Sequence, residues 1–495
     1  MNEFVRTVKS QAFVLDASDM VTSFSNISFI FIYKNSDGAS AEDFMPSSRL
    51  RSSFYRALQE FPILAGNVKV AKHGHTFIDV DQSDLNMPEY LEADSQVHFK
   101  DLEAARFNWS ALPEGLCTVS STPKRGSSGR IRLVHVNAVR LRDNSGLVLF
   151  ISIGHFVVDG VGYCNFVNRW AEIAKWMASG APESKLPVRQ YLFDRSIVPE
   201  SLPSQGKGLS EYAKGLYDSP TYFGRWLAWL SPETRGALLD RVAKMTRTSC
   251  HYFHISRKSL DSLRREVAGE MSSSQRISDN DIVSALLAYA TAKAIQDYNN
   301  ESAGRGFISS VISRASQMLF GRPSKKFLNM TAIDLRPRVQ KLKSVNYTGN
   351  SSISMAVLHD ISSLTRPVTE FKELAPICTD VRNAVDNATE KLIREVYDIQ
   401  NKSASHFAFT IAQMMAIEQR ILITNQSRFT FYENDFGQGI PECVYPMPWF
   451  PADVAAIQPV HPSSDGVNIF LAHKEHIMAK ILSNELWTKY VELLF

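Results

Sequence analysis

Hydrophobic positions along the chain follow two different periods, and the clearest change from one to the other lies near residue 155. Residues Leu147–Ile153 form a continuous apolar run rich in β-branched side chains, which predicts a buried strand. From Gly160 onward the apolar positions recur at helical spacing and predict a helix over Gly160–Met177. His155 and Asp159 lie between these two elements, where a rigid support can present functional side chains.

The rest of the chain mixes the same two periods, so we predict an α/β protein. Further helices are expected at Ser47–Glu60, Ser259–Ala268, Ser278–Ile295, Val368–Ala375, Val381–Tyr397, Ala408–Ile417 and Lys474–Leu494. Further strands are expected at Ile27–Tyr33, Thr76–Val80 (after a turn at His73-Gly74), Ile131–Leu141, His251–Ser256, Phe327–Asp334, Ile421–Thr424, Arg428–Tyr432, Ala455–Pro459 and Val467–Ala472. Residues 299–326 carry few signals and are expected to form an inserted loop.

The length of 495 residues suggests two domains rather than one small core. A stretch rich in proline and weak in periodicity follows the helix that starts at Gly160, and it marks the expected boundary. We expect an N-terminal domain over 1–200, a crossover linker over 201–240 and a C-terminal domain over 241–495. The content of 44% hydrophobic and 21% charged residues is that of an ordinary soluble enzyme.

Charge and cysteine usage exclude several classes of function. A net charge of +3 is too small to indicate a nucleic-acid partner. The chain contains no run of about 18 apolar residues, so no membrane span is predicted. The first residues also lack a hydrophobic signal core, and we therefore expect a cytoplasmic protein. The five cysteines are scattered without CxxC spacing, which favours free thiols over disulfides or a metal site.

An isolated H-x-x-x-D also fits a plain strand end followed by a helix cap, so other patterns must decide its meaning. Four further short patterns are present, and they lie along nearly the whole chain: Leu64-Ala-Gly66 after a helix and Pro62, Asp334-Leu-Arg-Pro-Arg338, Tyr347-Thr-Gly-Asn350, and Asp435-Phe-Gly-Gln-Gly439 followed by Pro441. In this order and spacing the chain resembles the BAHD-type, CoA-dependent acyltransferases, including their fungal branch.

The resemblance implies two chloramphenicol-acetyltransferase-like domains, each a mixed β-sheet with flanking helices, and an active-site channel at their interface. Acyl-CoA would enter from one face and the acceptor from the other. A segment near the DFGxG pattern, here roughly 435–458, would return to the sheet of the first domain. A monomer is the usual form of the family.

The resemblance also implies roles for the residues of the motifs. His155 would act as general base on the acceptor hydroxyl, because a neutral imidazole has a suitable pKa, and transfer would be direct, without an acyl-enzyme. Asp159 would turn away from the pocket and pair with an arginine, for which Arg336 is the best match and Arg338 the second. Gly160 would permit the tight turn from strand to helix.

Donors for the developing oxyanion are expected in the segment Thr424, Asn425 and Gln426, although an ordinary polar strand end fits that segment equally well. Gly349 and Asn350 match a family G-N pair that lines the channel. Asn280 and Asp281 match a family N-D pair, for which helix capping is the simpler role. Asp435, Gly437 and Gly439 would support the architecture, and Gln438 stands where the family usually has tryptophan.

The predicted function is transfer of an acyl group, acetyl or longer, from acyl-CoA to an alcohol, with a secondary metabolite as the expected acceptor. Acyl-CoA is a co-substrate, and no permanently bound cofactor is expected. Three alternatives remain open: an N-acyltransferase acting on an amine, a carrier-dependent condensation-type enzyme, and a catalytically silent binding protein. The condensation-type motif has a second histidine where this chain has Gly154.

Overall fold

The computed structural model describes residues 2–22, 25–71, 76–202, 247–270, 276–303, 326–402, 419–448 and 453–495. The helices in these ranges are α1 (Asn2–Thr7), α2 (Ala17–Val21), α3 (Ser47–Glu60), α4 (Phe99–Ala104), α5 (Gly160–Ser179), α6 (Ile197–Ser201), α7 (Arg257–Ala268), α8 (Asp279–Ala303), α9 (Gln340–Lys343), α10 (Ile361–Thr365), α11 (Ala375–Asp386), α12 (Glu390–Lys402), α13 (Glu475–Leu482) and α14 (Glu485–Tyr490).

The strands in the same ranges are β1 (Gln11–Val14), β2 (Asn26–Lys34), β3 (Asn67–Val70), β4 (Thr76–Val80), β5 (Glu89–Asp94), β6 (Val134–Arg140), β7 (Gly146–Gly154), β8 (Thr248–Ile255), β9 (Lys326–Asp334), β10 (Ser352–Asp360), β11 (Arg420–Asn425), β12 (Cys443–Pro446), β13 (Val454–Gln458), β14 (Val467–Lys474) and β15 (Glu492–Leu493). Each principal sheet mixes parallel and antiparallel pairs, which makes this a mixed α/β fold.

A five-stranded sheet in the order β12-β2-β7-β6-β5 carries the first half of the chain. Its central strands β2 and β7 are buried on both faces because both are nearly continuous apolar runs. Side chains on one face, such as Phe31 and Leu149, pack with α3 and α5. Strand β7 therefore ends as a rigid, buried support directly before His155.

A seven-stranded sheet in the order β10-β9-β11-β13-β14-β8-β15 carries the second half. Helix α8 is covered by apolar residues along most of its length and is buried against this sheet. A third cluster joins the two sheets, since Ile30 and Phe150 of the first pack with Tyr252 and Phe470 of the second. A smaller sheet in the order β1-β4-β3 also belongs to the first half of the chain.

The chain crosses back between the sheets near its C-terminus. Residues Cys443–Pro446 form β12, which pairs antiparallel with β2 in the five-stranded sheet. Residues Val454–Gln458 form β13, which lies between β11 and β14 in the seven-stranded sheet. We therefore propose that the return segment ends before Val454, and that the sheets mark the two domains expected at 1–200 and 241–495.

Several predicted elements differ in the structure, each for a local reason. The terminal helix breaks into α13 and α14, because Asn484 caps a new helix by accepting from the Trp487 N–H. The helix expected over Val381–Tyr397 is α11 and α12, with a break at residues 387–389.

Two further differences concern irregular turns. The strand expected at Arg428–Tyr432 is instead a tight turn that leads into the 3₁₀ turn Phe431–Glu433. In the helix expected at Val368–Ala375, residues 368–370 are irregular, Phe371–Leu374 form a 3₁₀ turn, and α11 begins at Ala375. Helix α8 continues past the predicted end at Ile295 to Ala303.

Some expectations fall outside the described residues: the turn at His73-Gly74, most of the linker 201–240, most of the insertion 299–326, and the helix at Ala408–Ile417. Within the described residues, no helix has both the length and the apolar character that crossing a bilayer requires.

Candidate active site

His155 occupies the connection between β7 and α5, and backbone hydrogen bonds hold it there. Its N–H donates to Ser25 O at 2.9 Å. Its carbonyl accepts from Thr22 Oγ1 at 3.1 Å and from Asn350 Nδ2 at 2.7 Å. Because Ser25 and Thr22 precede β2 while Asn350 precedes β10, segments from both halves of the chain fix the position of the histidine.

The side-chain amide of Asn350 determines the tautomer of His155. Its Nδ2 donates to Asp19 Oδ1 at 2.8 Å and to His155 O at 2.7 Å, and both of these groups can only accept. The amide oxygen must then face the imidazole, where it lies 3.1 Å from Nδ1. This network assigns the proton to Nδ1 and leaves Nε2 as the basic nitrogen. No hydrogen-bond partner for Nε2 is seen in the described parts of the chain.

Burial lowers the pKa of His155 below its ordinary value of 6.5. The hydrogen bonds of the ring and the charge of Asp159 oppose this shift without reversing it. The imidazole is consequently neutral at pH 7, which is the form that can accept a proton.

Asp159 caps α5 and points away from the imidazole. Its carboxylate accepts from the Gly162 N–H at 3.0 Å and the Ser351 N–H at 3.1 Å. It also forms a two-point pair with Arg336, with Nη1 at 2.8 Å from Oδ2 and Nη2 at 3.0 Å from Oδ1. Only 6% of Asp159 is exposed. Burial raises the pKa of its carboxyl, but Arg336 and the backbone donors outweigh burial and hold the pKa below the usual value.

Arg336 connects this pair to the segment that carries Asn350. Its Nε donates to Tyr347 O at 3.0 Å, and its Nη2 donates to Gly349 O at 2.9 Å. Arg338, the second candidate partner, does not reach Asp159 and instead donates to Ala388 O at 3.0 Å. The structure thus brings Asp159 and Arg336 together and places Arg338 elsewhere.

Gly160 has a steric role that differs from the expected one. It is the first residue of α5 and lacks a positive φ, so the turn does not need the conformational freedom of glycine. A Cβ at this position would overlap the ring of Phe429. Glycine is therefore required because an aromatic side chain of the 426–429 turn packs directly on the helix start.

The expected oxyanion donors lie at the end of β11 and at the first residue of this turn. Thr424 and Asn425 end β11, and the Asn425 side chain donates to Asn280 Oδ1 at 2.9 Å at the start of α8. The Gln426 N–H donates to Ile457 O at 2.7 Å, and its side-chain oxygen lies 3.0 Å from Gln458 Nε2. In the described residues, Thr424, Asn425 and Gln426 form no hydrogen bond with His155. Phe429 of this turn, through its contact with Gly160, brings the segment beside the start of α5.

The Asp435–Gly439 loop is an architectural feature. Asp435 Oδ1 accepts from the N–H groups of Gly437, Gln438 and Gly439 at 2.8, 3.1 and 2.9 Å. Its Oδ2 lies 2.8 Å from Lys175 Nζ, near the C-terminal end of α5 and far along the helix from His155. The Gln438 side chain is exposed and donates to Asp43 O at 3.1 Å, so it lies at the surface and not in the core.

Sequence patterns missed two charged residues of this site, Asp19 and Arg195. Asp19 accepts from Asn350, and Arg195 donates to the carbonyl of Val157 within the connection that holds His155. The spacing Asp16-x-x-Asp19 indicates a helix cap, which α2 does contain. No signal in the sequence indicated that the cap also contacts Asn350, which holds His155.

Metal ligation is not supported by the side chains seen here. Among the described residues, no group of three or more His, Cys, Asp or Glu side chains is arranged to hold a metal ion. The chemistry available at this site is therefore that of a neutral histidine, amide donors and a buried ion pair.

Comparison with known proteins agrees with the geometry. The model of the Transferase family matches residues 6–486, which is nearly the whole chain. The chain belongs to this family, the BAHD-type CoA-dependent acyltransferases. A curated relative in the family is Acyltransferase BOA11 of Botryotinia fuckeliana, which is 22% identical over 461 residues, covering 90% of each chain.

Two solved structures of this family share the fold. TRI101 of F. graminearum, crystallised with ethyl coenzyme A, aligns with a TM-score of 0.71 and 16% identity over 98% of this chain and 100% of its own. Vinorine synthase aligns with a TM-score of 0.59 and 16% identity over 98% and 96% of the two chains. The fold is accordingly the two-domain chloramphenicol-acetyltransferase-like fold.

Proposed function

We propose that this acyltransferase moves an acyl group from acyl-CoA to the hydroxyl of a small molecule, with His155 as general base. The observation that carries the proposal is the His155–Asn350 contact. It places the proton on Nδ1 and leaves Nε2 as an unprotonated base on a fixed ring. A positioned base of this kind typically contributes about 10²–10⁴-fold to the rate.

The proposed reaction is a direct transfer in a ternary complex. The acceptor oxygen attacks the thioester carbonyl while Nε2 of His155 takes the hydroxyl proton. The tetrahedral intermediate then collapses, the carbon–sulfur bond breaks, and the CoA thiolate takes that proton from the imidazolium. Cysteine is not needed as a nucleophile, and burial raises the pKa of Cys164, the nearest cysteine along the chain, to about 12, so that its thiol stays protonated.

We further propose that the polar groups beside the start of α5 stabilise the charge on the carbonyl oxygen. Gln426 is the strongest candidate, because Gln458 donates to its side-chain oxygen, and no acceptor for its amide N–H groups is seen in the described residues. Thr424 is the second candidate. Asn425 is a weaker one, since its amide donates to Asn280.

The donor and acceptor classes rest on family membership and on what related structures contain. TRI101 was crystallised with ethyl coenzyme A, and in other crystals with coenzyme A and either T-2 mycotoxin or deoxynivalenol. For this chain we propose acetyl-CoA or a longer acyl-CoA as donor and an alcohol on a secondary metabolite as acceptor. We also propose a cytoplasmic monomer that needs no permanently bound cofactor.

A carrier-dependent condensation reaction fits this site less well. The second histidine of that motif would replace Gly154, where a Cβ would lie 2.9 Å from a ring carbon of Phe156. A side chain at this position would force the ring to move. Gly154 therefore lacks the second histidine of the condensation-type motif, and its surroundings do not readily admit one.

Thiol release from acetyl-CoA and longer acyl-CoAs, measured with a panel of alcohols and amines, tests the proposal. We expect thiol release that depends on an alcohol, an ester product by mass spectrometry, and no acylated enzyme in the absence of acceptor. Thiol release that depends only on amines would show that the acceptor is an amine and not an alcohol. Binding of acyl-CoA without transfer to any acceptor would contradict the catalytic proposal.

A further inference from the structure

Asp19 lies at the end of the hydrogen-bond chain that begins at His155. It belongs to α2, and its side chain is completely buried. Oδ1 accepts from Asn350 Nδ2 at 2.8 Å and from the Asn350 N–H at 3.3 Å. Oδ2 accepts from the Asp16 N–H at 3.1 Å and lies 3.4 Å from Arg195 Nε. Burial raises the pKa of the Asp19 carboxyl, but all four groups that contact it are donors, so these contacts favour the charged form and engage both of its oxygens.

Arg195, the partner of Asp19 in this ion pair, also contacts the connection between β7 and α5 that carries His155. Its Nη2 donates to the Val157 carbonyl, and its Nη1 donates to Phe193 O at 2.7 Å. Only 3% of the arginine is exposed. The pair of Asp19 and Arg195 therefore contacts both sides of the site: the arginine holds the 155–159 connection, and the carboxylate holds Asn350.

Asn350 needs this carboxylate to keep its amide oriented. With Asp19 in place, Nδ2 has two acceptors and Oδ1 faces His155 Nδ1. If the amide turned by 180°, its oxygen would face a carboxylate and a carbonyl, and its NH₂ would face the imidazole. The second orientation would select the tautomer with the proton on Nε2, which is unable to act as a base.

We propose that Asp19, paired with Arg195, is a positioning residue that sets the tautomer of His155 through the amide of Asn350. This inference rests on the proposed role of His155 and adds the residue on which that role depends. Asp19 does not touch the reacting atoms. It acts because a buried carboxylate permits only one orientation of the neighbouring amide.

The variant Asp19→Asn tests the inference against Asp16→Asn as its control. Asparagine at position 19 has nearly the same shape as aspartate, but one of its two carboxylate oxygens is replaced by an NH₂ group. That group would face either Asn350 or the donors Arg195 and the Asp16 N–H. Asn at 16 lies in the same capping box and retains an oxygen for the Asp19 N–H, and the Tyr397 hydroxyl, which donates to Asp16 Oδ2 at 3.1 Å, can rotate to accept from the new NH₂ group. No hydrogen bond between Asp16 and Asn350 is seen in the described residues. We expect kcat to fall roughly tenfold to a hundredfold in Asp19→Asn, part of the contribution of a general base. The KM for acyl-CoA should change by less than about twofold, because the lost interaction acts in the transition state.

The control should keep a kcat close to that of the wild type at a similar melting temperature. Equal losses of kcat in the two variants, or a wild-type kcat in Asp19→Asn, would overturn the inference. A proportional loss of kcat and melting temperature in both would show a structural role only.

A measurement on the wild-type protein covers the case in which Asp19→Asn does not fold. The ¹⁵N shifts of the histidine rings distinguish the two tautomers, and the signal missing from His155→Gln assigns the ring of interest. We expect a protonated Nδ1 in the resting protein, whereas a protonated Nε2 would overturn the inference. Because this readout needs no turnover, failure of the proposed function would appear separately, as a wild type that transfers no acyl group.

Discussion

Replacing Arg336 by alanine removes two of the four hydrogen bonds that the buried Asp159 carboxylate accepts. Hydrogen bonds to charged groups contribute about 1.5–3 kcal/mol each, and breaking a buried ion pair by deleting one partner costs about 3–5 kcal/mol. The two figures agree. For a domain of this size the loss corresponds to a melting temperature lower by roughly 6–20 °C.

Arg338→Ala is the matched control, because within the described residues Arg338 donates to the Ala388 carbonyl and makes no hydrogen bond to Asp159. Its expected cost is about 0.5–1.5 kcal/mol. Thermal melts and urea unfolding of both variants measure the difference, and initial rates should fall in Arg336→Ala because the arginine also holds Tyr347 and Gly349.

A double-mutant cycle with Asp159→Ala isolates the interaction. We expect the second substitution to cost far less in the Arg336→Ala background than in the wild type, since the buried charge is then already unpaired. Equal melting temperatures for Arg336→Ala and Arg338→Ala, or additive effects in the cycle, would refute the assignment of this pair as the link between the halves of the site.

Three further predictions concern other parts of the site. Gly160→Ala should lower the free energy of unfolding by about 1–3 kcal/mol, because it forces the Phe429 ring to move, and it should reduce the initial rate. Gly180 has a positive φ and open space around it. Gly180→Ala should therefore lower the free energy of unfolding by about 1–2 kcal/mol and leave the rate unchanged. Equal rates in the two variants would contradict the steric role of Gly160. Gln438→Ala should change the free energy of unfolding by less than about 0.5 kcal/mol, as an exposed substitution does, and a large loss in urea unfolding would contradict its exposed position. Because burial lowers the pKa of His155, the neutral base persists below the ordinary value, so the midpoint of the decline of kcat/KM with increasing acidity should lie below about pH 6.5; a midpoint above that pH would contradict this.

Sequence patterns predicted most of the regular structure because burial and period agree in those segments. Helix α3 has the predicted bounds Ser47–Glu60, and β7 extends the predicted strand by one residue at each end. Strand β10 was missed because its apolar run Met355–Leu358 is short, and the period of so short a run does not distinguish a strand from a buried helix segment. Breaks such as the one before Glu485 depend on a single capping side chain, which a periodic pattern does not reveal.

The site shows the same division between local and long-range information. The motif formed by His155 and Asp159 spans five consecutive residues and can be recognised directly in the sequence. Resemblance to a family suggested Arg336 as the partner of Asp159, but only the fold shows the two-point geometry. Asp19 is 331 residues from Asn350, and that contact depends on the packing of both halves.

The role of His155 is tested most directly by comparing His155→Ala with the wild type in acceptor-dependent release of CoA from acetyl-CoA. We expect a kcat lower by about 10²–10⁴-fold with little change in melting temperature, since Thr22 and Ser25 hold the backbone of residue 155. A variant that keeps a wild-type kcat would contradict the assignment of His155 as the general base.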